Sequence, residues 1–303
     1  MQRRPYRDAS DVALLQQFNA RAAAVTDGFG YLHPGDIPHH MFNGNRMYDT
    51  ADVVSIWEDA DGVAAWVLAG PRHRESDVQL RPDLKGTDFE WEVMDFAEAR
   101  LLELMDRHGI AGDRIVATAY RGDAPLERYL ADRGWTPDGD PPWVVNRIAL
   151  TALDAPALPA GYTVRAARGV EDAAGLAAVH KAAFGVPWTP EVYRRVMESP
   201  GYAAEREFVV VAPDGEFAAF TLTWHDALNR RGLFEPVGTH SGYRRLGLGR
   251  ALLLTVLHHM RGLGLESAEV VNEGKNEASR ALYRSCGFLP RHAFGNYEKP
   301  RAR

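Results

Sequence analysis

The 303-residue chain has one cysteine, Cys286. A lone thiol excludes a disulfide framework and is typical of a reducing compartment. The sequence also lacks any apolar run near the roughly 20 residues that span a bilayer, and its start lacks the apolar core of a signal peptide. These absences predict a cytoplasmic protein with no membrane partner.

Long basic runs are absent as well. The chain has 35 Lys and Arg against 41 Asp and Glu, which gives a formal net charge of −6. Nucleic-acid binding depends on clustered positive charge, so nucleic acid is not expected as a partner. A content of 46% hydrophobic and 25% charged residues is typical of a globular protein, and the length suits about two domains.

The two halves of the chain repeat one order of elements. Each has an early helix, an apolar strand pair bent at an acidic turn ending in glycine, a long amphipathic helix and a closing strand–helix–strand. The closing part aligns well, with 116–135 matching 270–288. An Ala/Pro-rich segment between the halves is typical of a linker. We therefore predict an internal duplication with a first domain at 1–150, a linker at 151–160 and a second domain at 161–303.

A glycine-rich turn in the second half has the character of an anion site. We expect a strand to end near Thr239 and an amphipathic helix to start about Gly247. The first N–H groups of a helix have no intrahelical partner and lie at the positive end of its dipole. Gly247 and Gly249 leave that backbone open. Positive charge beside it comes from Arg244, Arg245 and Arg250.

Taken alone, this turn fits a flexible helix start on a solvated basic loop equally well. It is not a Walker loop, because no Gly-Lys-Ser/Thr follows. However, Arg244-x-x-Gly247-x-Gly249 resembles the Arg/Gln-x-x-Gly-x-Gly/Ala pyrophosphate loop of the GNAT superfamily of acyl-CoA N-acyltransferases. Residues 276–288 are similar to the same family's Asn-x-x-Ala-x-x-Leu-Tyr-x-x-x-Gly-Phe pattern, with Ser279 in the alanine place.

The resemblance covers about Tyr162–Glu298, and the tandem arrangement resembles mycothiol synthase-like actinobacterial acetyltransferases. It implies an α/β (α+β) fold of two tandem domains, each a mixed, mostly antiparallel twisted sheet flanked by helices. It also implies acetyl-CoA as acyl donor, held where the fourth and fifth strands splay apart, and no metal. The residues it assigns to the cofactor are Val237, Gly238 and Thr239 on the strand, Arg244, Arg245, Leu246, Gly247, Leu248, Gly249 and Arg250 in the loop, and Asn276 and Ser279 on the other side.

Direct attack of an amine on a thioester needs a base for the amine proton and an acid for the departing sulfur. By resemblance, Tyr283 stands at the position of the family's tyrosine acid. Glu235 is the candidate base, and His240 is its rival; Glu235 equally fits a strand carboxylate that only orients substrate. The residues expected to line the acceptor site are Trp224, His225 and Trp188. For the two tryptophans, packing in the core is the alternative interpretation.

The first half lacks the features of this site. Aligned on the long helix, Glu92 and Met94 replace Gly247 and Gly249, and Leu130 replaces Tyr283. Acidic residues there would repel a pyrophosphate. We therefore expect a degenerate domain that binds no CoA and shapes the acceptor cleft. A further cluster, His33, His39 and His40, has no trusted metal-ligand spacing, and a loop is the better interpretation.

The sequence thus predicts transfer of an acetyl group from acetyl-CoA to a primary amine of a small molecule, by direct attack in a ternary complex. One alternative is acetylation of a protein N-terminus or lysine. Another is a non-catalytic CoA-binding sensor or interaction protein. The presence of Tyr283 and Glu235 favours an enzyme over a sensor, because a sensor needs only the pyrophosphate loop.

Overall fold

Residues 1–301 are described by a computed structural model, in which the chain divides into two units. The first unit comprises Met1–Val144, Glu273–Lys275 and the chain from His292 onward. The second comprises Val145–Asn272 and Asn276–Arg291. The first unit therefore includes a segment from the C-terminal end of the sequence.

The first unit contains four α-helices and one π-helical turn at His39–Gly44 among its described residues. The helices are α1 (Ala9–Thr26), α2 (Thr50–Val53), α3 (Asp88–Arg107) and α4 (Ala124–Asp132). The strands are β1 (Gln2–Pro5), β2 (Val54–Asp59), β3 (Gly62–Gly70), β4 (Glu75–Leu80), β5 (Arg114–Tyr120) and β6 (Thr136–Pro137).

The second unit repeats this order of elements. Its helices are α5 (Ala173–Phe184), α6 (Pro190–Met197), α7 (Leu248–Gly262) and α8 (Glu277–Ser285). Its strands are β7 (Trp143–Ala149), β8 (Thr163–Ala166), β9 (Glu207–Val211), β10 (Phe217–Asp226), β11 (Arg231–Thr239) and β12 (Ser267–Asn272). The last strand, β13 (Leu289–Pro300), starts in the second unit and belongs to the first from His292 on.

Both units have a mixed, mostly antiparallel sheet, as predicted. In the first, the order is β1-β2-β3-β4-β5-β13, and only β4 and β5 run parallel. In the second, the order is β8-β9-β10-β11-β12-β7, with β11 and β12 parallel. The parallel pair follows from the long helix between its strands, because a crossover is needed to bring the chain back in the same direction.

The long helix α7 supplies the core of the second unit. Its apolar stripe recurs at helical spacing, and six of its side chains have no exposed surface: Leu252, Leu253, Leu254, Val256, Leu257 and Met260. They pack with Phe234 of β11 and Val270 of β12. The start of α7 is therefore held rigidly against the two parallel strands.

The boundary between the two units does not lie in the segment whose composition is typical of a linker. Residues 151–160 form no helix or strand, but they lie in the second unit, where Leu153 and Leu158 pack on its core. Before them, β7 joins the second sheet beside β12, whereas β13 joins the first beside β5. The boundaries of the two units are set by strand pairing between distant segments of the chain. Local composition carries no information about that pairing.

Loss of β13 should open one edge of the first sheet. Removal of 292–303 would take away the partner of β5 from Arg114 to Tyr120. Unpaired edge amides exchange with solvent, so we expect amide protection in β5 to fall while β10 keeps its own. Hydrogen–deuterium exchange with mass spectrometry measures this, with removal of only Ala302 and Arg303 as the control. Unchanged protection of β5 in the shorter chain would contradict the pairing.

Candidate active site

The feature that defines the site is the short ladder between β11 and β12. Among the described residues, their parallel pairing covers four positions, from Arg231 opposite Ser267 to Phe234 opposite Val270. Residues 235–239 continue β11 past the last of these pairs, while β10 stays paired on the other side up to Thr239. A strand edge of this kind can accept an extended ligand through its backbone groups.

Two side chains of β10 hold β11 where its ladder is irregular. The register shifts between Thr221 and Thr223, as in a β-bulge. Thr221 Oγ1 donates to the carbonyl oxygen of Pro236 at 2.9 Å, and the Trp224 indole donates to that of Glu235 at 2.8 Å. The backbone at Glu235 is therefore fixed by side chains. Trp224, predicted to line the acceptor site, is only 2% exposed and supports the strand.

Gly238 lets the sheet close against α5. A Cβ at this position would overlap the Phe220 ring and come within 3.1 Å of the Ala183 methyl. Phe220 is fully buried and stacks on His180 of α5, with ring centroids 3.9 Å apart. Val237 and Thr239, on either side, are half-buried. The predicted cofactor strand is thus braced from one face by α5.

The loop after β11 turns sharply towards α7. His240 Nδ1 accepts a hydrogen bond from the Gly242 N–H at 3.0 Å, which starts a short 3₁₀ turn at Ser241–Tyr243. Arg245 and Gly247 have positive φ angles of 66° and 78°, in the left-handed region. His240, the rival base, therefore has one ring nitrogen occupied in shaping this loop.

The N-terminus of α7 is open to an anion. Gly247 is its N-cap and offers no side chain to the first N–H groups, those of Leu248, Gly249 and Arg250. A Cβ on Gly249 would come within 3.3 Å of Leu282 and 3.4 Å of the Thr239 hydroxyl. Free N–H groups and the positive end of the helix dipole are what phosphate groups bind.

The three arginines of the motif have different surroundings. Arg244 donates to the carbonyl oxygen of Ala183 at the end of α5, at 3.0 Å. Arg250 donates to the Ser285 carbonyl at 3.0 Å and to Asp154 at 2.6 Å, so its guanidinium is directed to the end of α8. Arg245 is exposed and forms no ion pair with residues 1–301. Arg250 can reach a phosphate here through its backbone N–H.

Asn276 and Ser279 form the cap of α8. The Asn276 side chain accepts from the Ser279 N–H at 3.1 Å, and the Ser279 hydroxyl donates to the Asn276 carbonyl at 2.9 Å. This cap fixes the start of the helix that carries Tyr283. Both residues are at the surface or half-exposed, as a ligand contact would require.

Tyr283 combines burial with an uncommitted hydroxyl. It is 6% exposed, and no group among residues 1–301 forms a hydrogen bond with its oxygen. Burial raises the pKa of Tyr283 above its usual value, and the negative charge of Glu235 raises it further. The hydroxyl therefore stays protonated at neutral pH, and Glu235 lies close enough for its charge to act on it.

The other predicted acceptor residues lie at the ends of β10 and α5. His225 Nε2 is 3.4 Å from the Thr223 hydroxyl. Trp188, between α5 and α6, lies against the rings of His180 and Tyr193, with centroids 4.9 and 5.4 Å away. Sequence reasoning missed the buried carboxylate Glu207. Its one signal was an acid directly before an apolar strand run.

In the first unit, the protein's own carboxylate lies at the corresponding helix start. Glu90, 4% exposed, accepts a hydrogen bond from the Gly86 N–H at 2.5 Å, and Asp88 is also in the first turn of α3. These negative charges disfavour a second anion there.

The histidines of the first unit have local roles. His40 Nε2 is 2.9 Å from Asp36, and His33 Nδ1 accepts from the Gly35 N–H at 3.2 Å. Across residues 1–301 no group of three or more His, Cys, Asp or Glu is arranged to hold a metal ion. Nor does that part of the chain contain a helix long and apolar enough to cross a membrane.

Comparison with known proteins agrees with this geometry. The family described as the acetyltransferase (GNAT) family matches residues 174–288. A mycothiol acetyltransferase of Saccharomonospora viridis is 31% identical over 88% of both chains, and one of Thermobispora bispora is 30% identical over 76% of this chain and 78% of its own.

Among solved structures, a tandem GNAT protein from the clavulanic acid biosynthesis pathway superposes with a TM-score of 0.69. It is 17% identical and covers 100% of this chain and 99% of its own, so it shows the fold alone. The resemblance drawn from the two motifs is confirmed, and the chain belongs to the GNAT family of N-acetyltransferases.

Proposed function

We propose that the second unit transfers an acetyl group from acetyl-CoA to a primary amine of a small molecule. The observation that carries the proposal is the opening formed by three features: the β11 edge at 235–239, the uncapped start of α7, and the buried Tyr283 hydroxyl. Relatives named mycothiol acetyltransferase support a small-molecule acceptor.

The residues at this opening suit the parts of acetyl-CoA. The N–H groups of Leu248, Gly249 and Arg250 would bind the pyrophosphate, with Arg245 beside them. The backbone of Val237–Thr239 would bind the amide-containing arm as an added strand does. Acetyl-CoA supplies an activated thioester. No metal is required for this chemistry, since a thioester is already reactive towards a neutral amine.

Glu235 and Tyr283 would divide the proton transfers. A protonated amine is not nucleophilic, so Glu235 takes the proton that the amine must lose. Tyr283 donates a hydrogen bond to the sulfur as negative charge develops there, and CoA leaves as the thiolate. A thiol has an ordinary pKa of about 8.5, below that of a tyrosine at about 10, so the hydrogen bond is the main contribution of Tyr283.

Replacing Tyr283 should impair turnover without loosening the cofactor. For Tyr283→Phe we expect kcat to fall by about 10² to 10⁴-fold, the usual contribution of a positioned acid or base, with the Kd of acetyl-CoA unchanged. Steady-state kinetics with a panel of small primary amines and calorimetric titration measure the two quantities. Tyr243→Phe is the matched control, because Tyr243 contacts Asp214 and Glu216 at the surface. A kcat equal to wild type would rule out this role.

Filling the space at the start of α7 should weaken cofactor binding. Gly249→Val places side-chain atoms against Leu282 and Thr239, and we expect the Kd of acetyl-CoA to rise at least about tenfold, or about 1.4 kcal/mol. Gly262→Ala, at the other end of α7, meets nothing within 4 Å and should leave the Kd unchanged. Equal affinity in both variants, by calorimetry on folded protein, would place the pyrophosphate elsewhere.

A further inference from the structure

The second unit buries a carboxylate that the mechanism above does not use. Glu207 opens β9 opposite Leu222 of β10, and it has no exposed surface. The hydroxyls of Tyr193 on α6 and of Tyr202 in the preceding loop both donate to it, the latter at 2.7 Å. A buried charge is costly unless it is well hydrogen-bonded, so the hydrogen bonds from the two tyrosines offset the cost of burying the Glu207 carboxylate.

A histidine extends this group into α5. The Tyr193 hydroxyl is 3.1 Å from Nε2 of His180, which is 5% exposed. We call the four side chains His180, Tyr193, Glu207 and Tyr202 the Glu207 network. Hydroxyls and imidazoles can both donate and accept, so the network can be satisfied with Glu207 ionised or protonated.

The direction of two hydrogen bonds differs between these states, the one between Glu207 and Tyr193 and the one between Tyr193 and His180. When Glu207 is ionised, it accepts from both tyrosines, and Tyr193 accepts from His180. When Glu207 is protonated, it can donate to Tyr193, which then donates to His180. The change in charge therefore alters the hydrogen bonds that connect α5 and α6 to β9.

The surroundings favour the protonated state more than water does. Burial, with a smaller contribution from the charge of Asp172, raises the pKa of Glu207 to about 7 against the opposing effect of the tyrosine hydrogen bonds. Asp172 is itself paired with Arg165 of β8 at 2.6 Å, and Leu222 faces Glu207 from β10. Glu207 therefore changes charge within the neutral range.

Both ends of the network reach residues near the site. Tyr202 packs against the cluster of Leu222, Trp224 and Leu233, and the Trp224 indole holds the Glu235 carbonyl. At the other end, Trp188 lies against His180 and Tyr193. Trp224, which holds the Glu235 backbone, and Trp188, which is expected to face the acceptor, are thus both supported by one buried carboxyl group.

We propose that Glu207 is a positioning residue for acetyl transfer, acting through Tyr202 and Trp224 on the backbone of Glu235. Through Tyr193 it also holds α6 and Trp188. The inference rests on the proposed function for its kinetic consequence, and acceptor binding then depends on the charge of Glu207.

The first test needs no acceptor. Tryptophan fluorescence and thermal unfolding are followed from pH 5 to 9 for wild type, Glu207→Gln and the exposed control Glu205→Gln. The folded-state pKa is raised from 4.5, so the folded chain keeps a proton that the unfolded chain releases. The stability that this group contributes is present at low pH and is lost as the pH rises to about 7. We expect this transition in wild type and Glu205→Gln, and its loss in Glu207→Gln.

The second test measures kinetics with acetyl-CoA and a panel of small primary amines. In Glu207→Gln and Tyr202→Phe, we expect the amine KM to rise about tenfold, the Kd of acetyl-CoA to stay unchanged, and the pH dependence of KM near 7 to disappear in the glutamine variant. Tyr202→Phe keeps the Glu207 carboxylate, and it provides the kinetic test if Glu207→Gln does not fold.

The outcomes separate the two proposals. An active wild type whose amine KM and pH profile are unchanged in both variants would overturn the positioning role. So would a fluorescence transition that persists in Glu207→Gln. A wild type that shows the transition but acetylates no amine would overturn the proposed function, and with it the kinetic role of Glu207, while its change of charge would stand.

Discussion

The candidate site depends on one constraint, the end of the β11–β12 ladder after four residue pairs. Beyond Phe234, β11 keeps its antiparallel partner but has an open edge towards β12, at the level where α7 begins. The same discontinuity thus provides backbone groups for an extended arm and helix N–H groups for its phosphates. Because β11 loses a neighbour there, its position must be maintained by side chains. Thr221, Trp224 and Phe220 do this from β10.

These supports explain why much of the site consists of residues that would not touch a ligand. Gly238 is needed because the Phe220 ring lies on it, and the α8 cap formed by Asn276 orients the helix of Tyr283. Catalytic groups need positions fixed to fractions of an ångström, and fixing them takes packing and hydrogen bonds around them. The Glu207 network extends this support to the acceptor side. In this account, Trp224 is part of the support for Glu235.

The sequence predicted the features that depend on local spacing. The apolar stripe placed α7 within a residue of its start at Leu248, and the acidic turns placed both hairpins. The fold class also followed, because two motifs at the right separation identified the family. Long-range pairing was not visible: β13 belongs with β5, and β7 with β12. The direction of the Arg250 guanidinium, which is set by Asp154, could not be predicted from the sequence either.

The two units differ at one helix start: that of α7 in the second unit is uncapped, whereas Glu90 lies at that of α3 in the first. Binding of acetyl-CoA should therefore involve the second unit alone. Native mass spectrometry of the full chain with increasing acetyl-CoA measures this directly. We expect one bound molecule per chain, and in Gly249→Val at least about tenfold more acetyl-CoA for the same occupancy. Two bound molecules per chain, or equal occupancy of wild type and Gly249→Val at each acetyl-CoA concentration, would contradict this assignment.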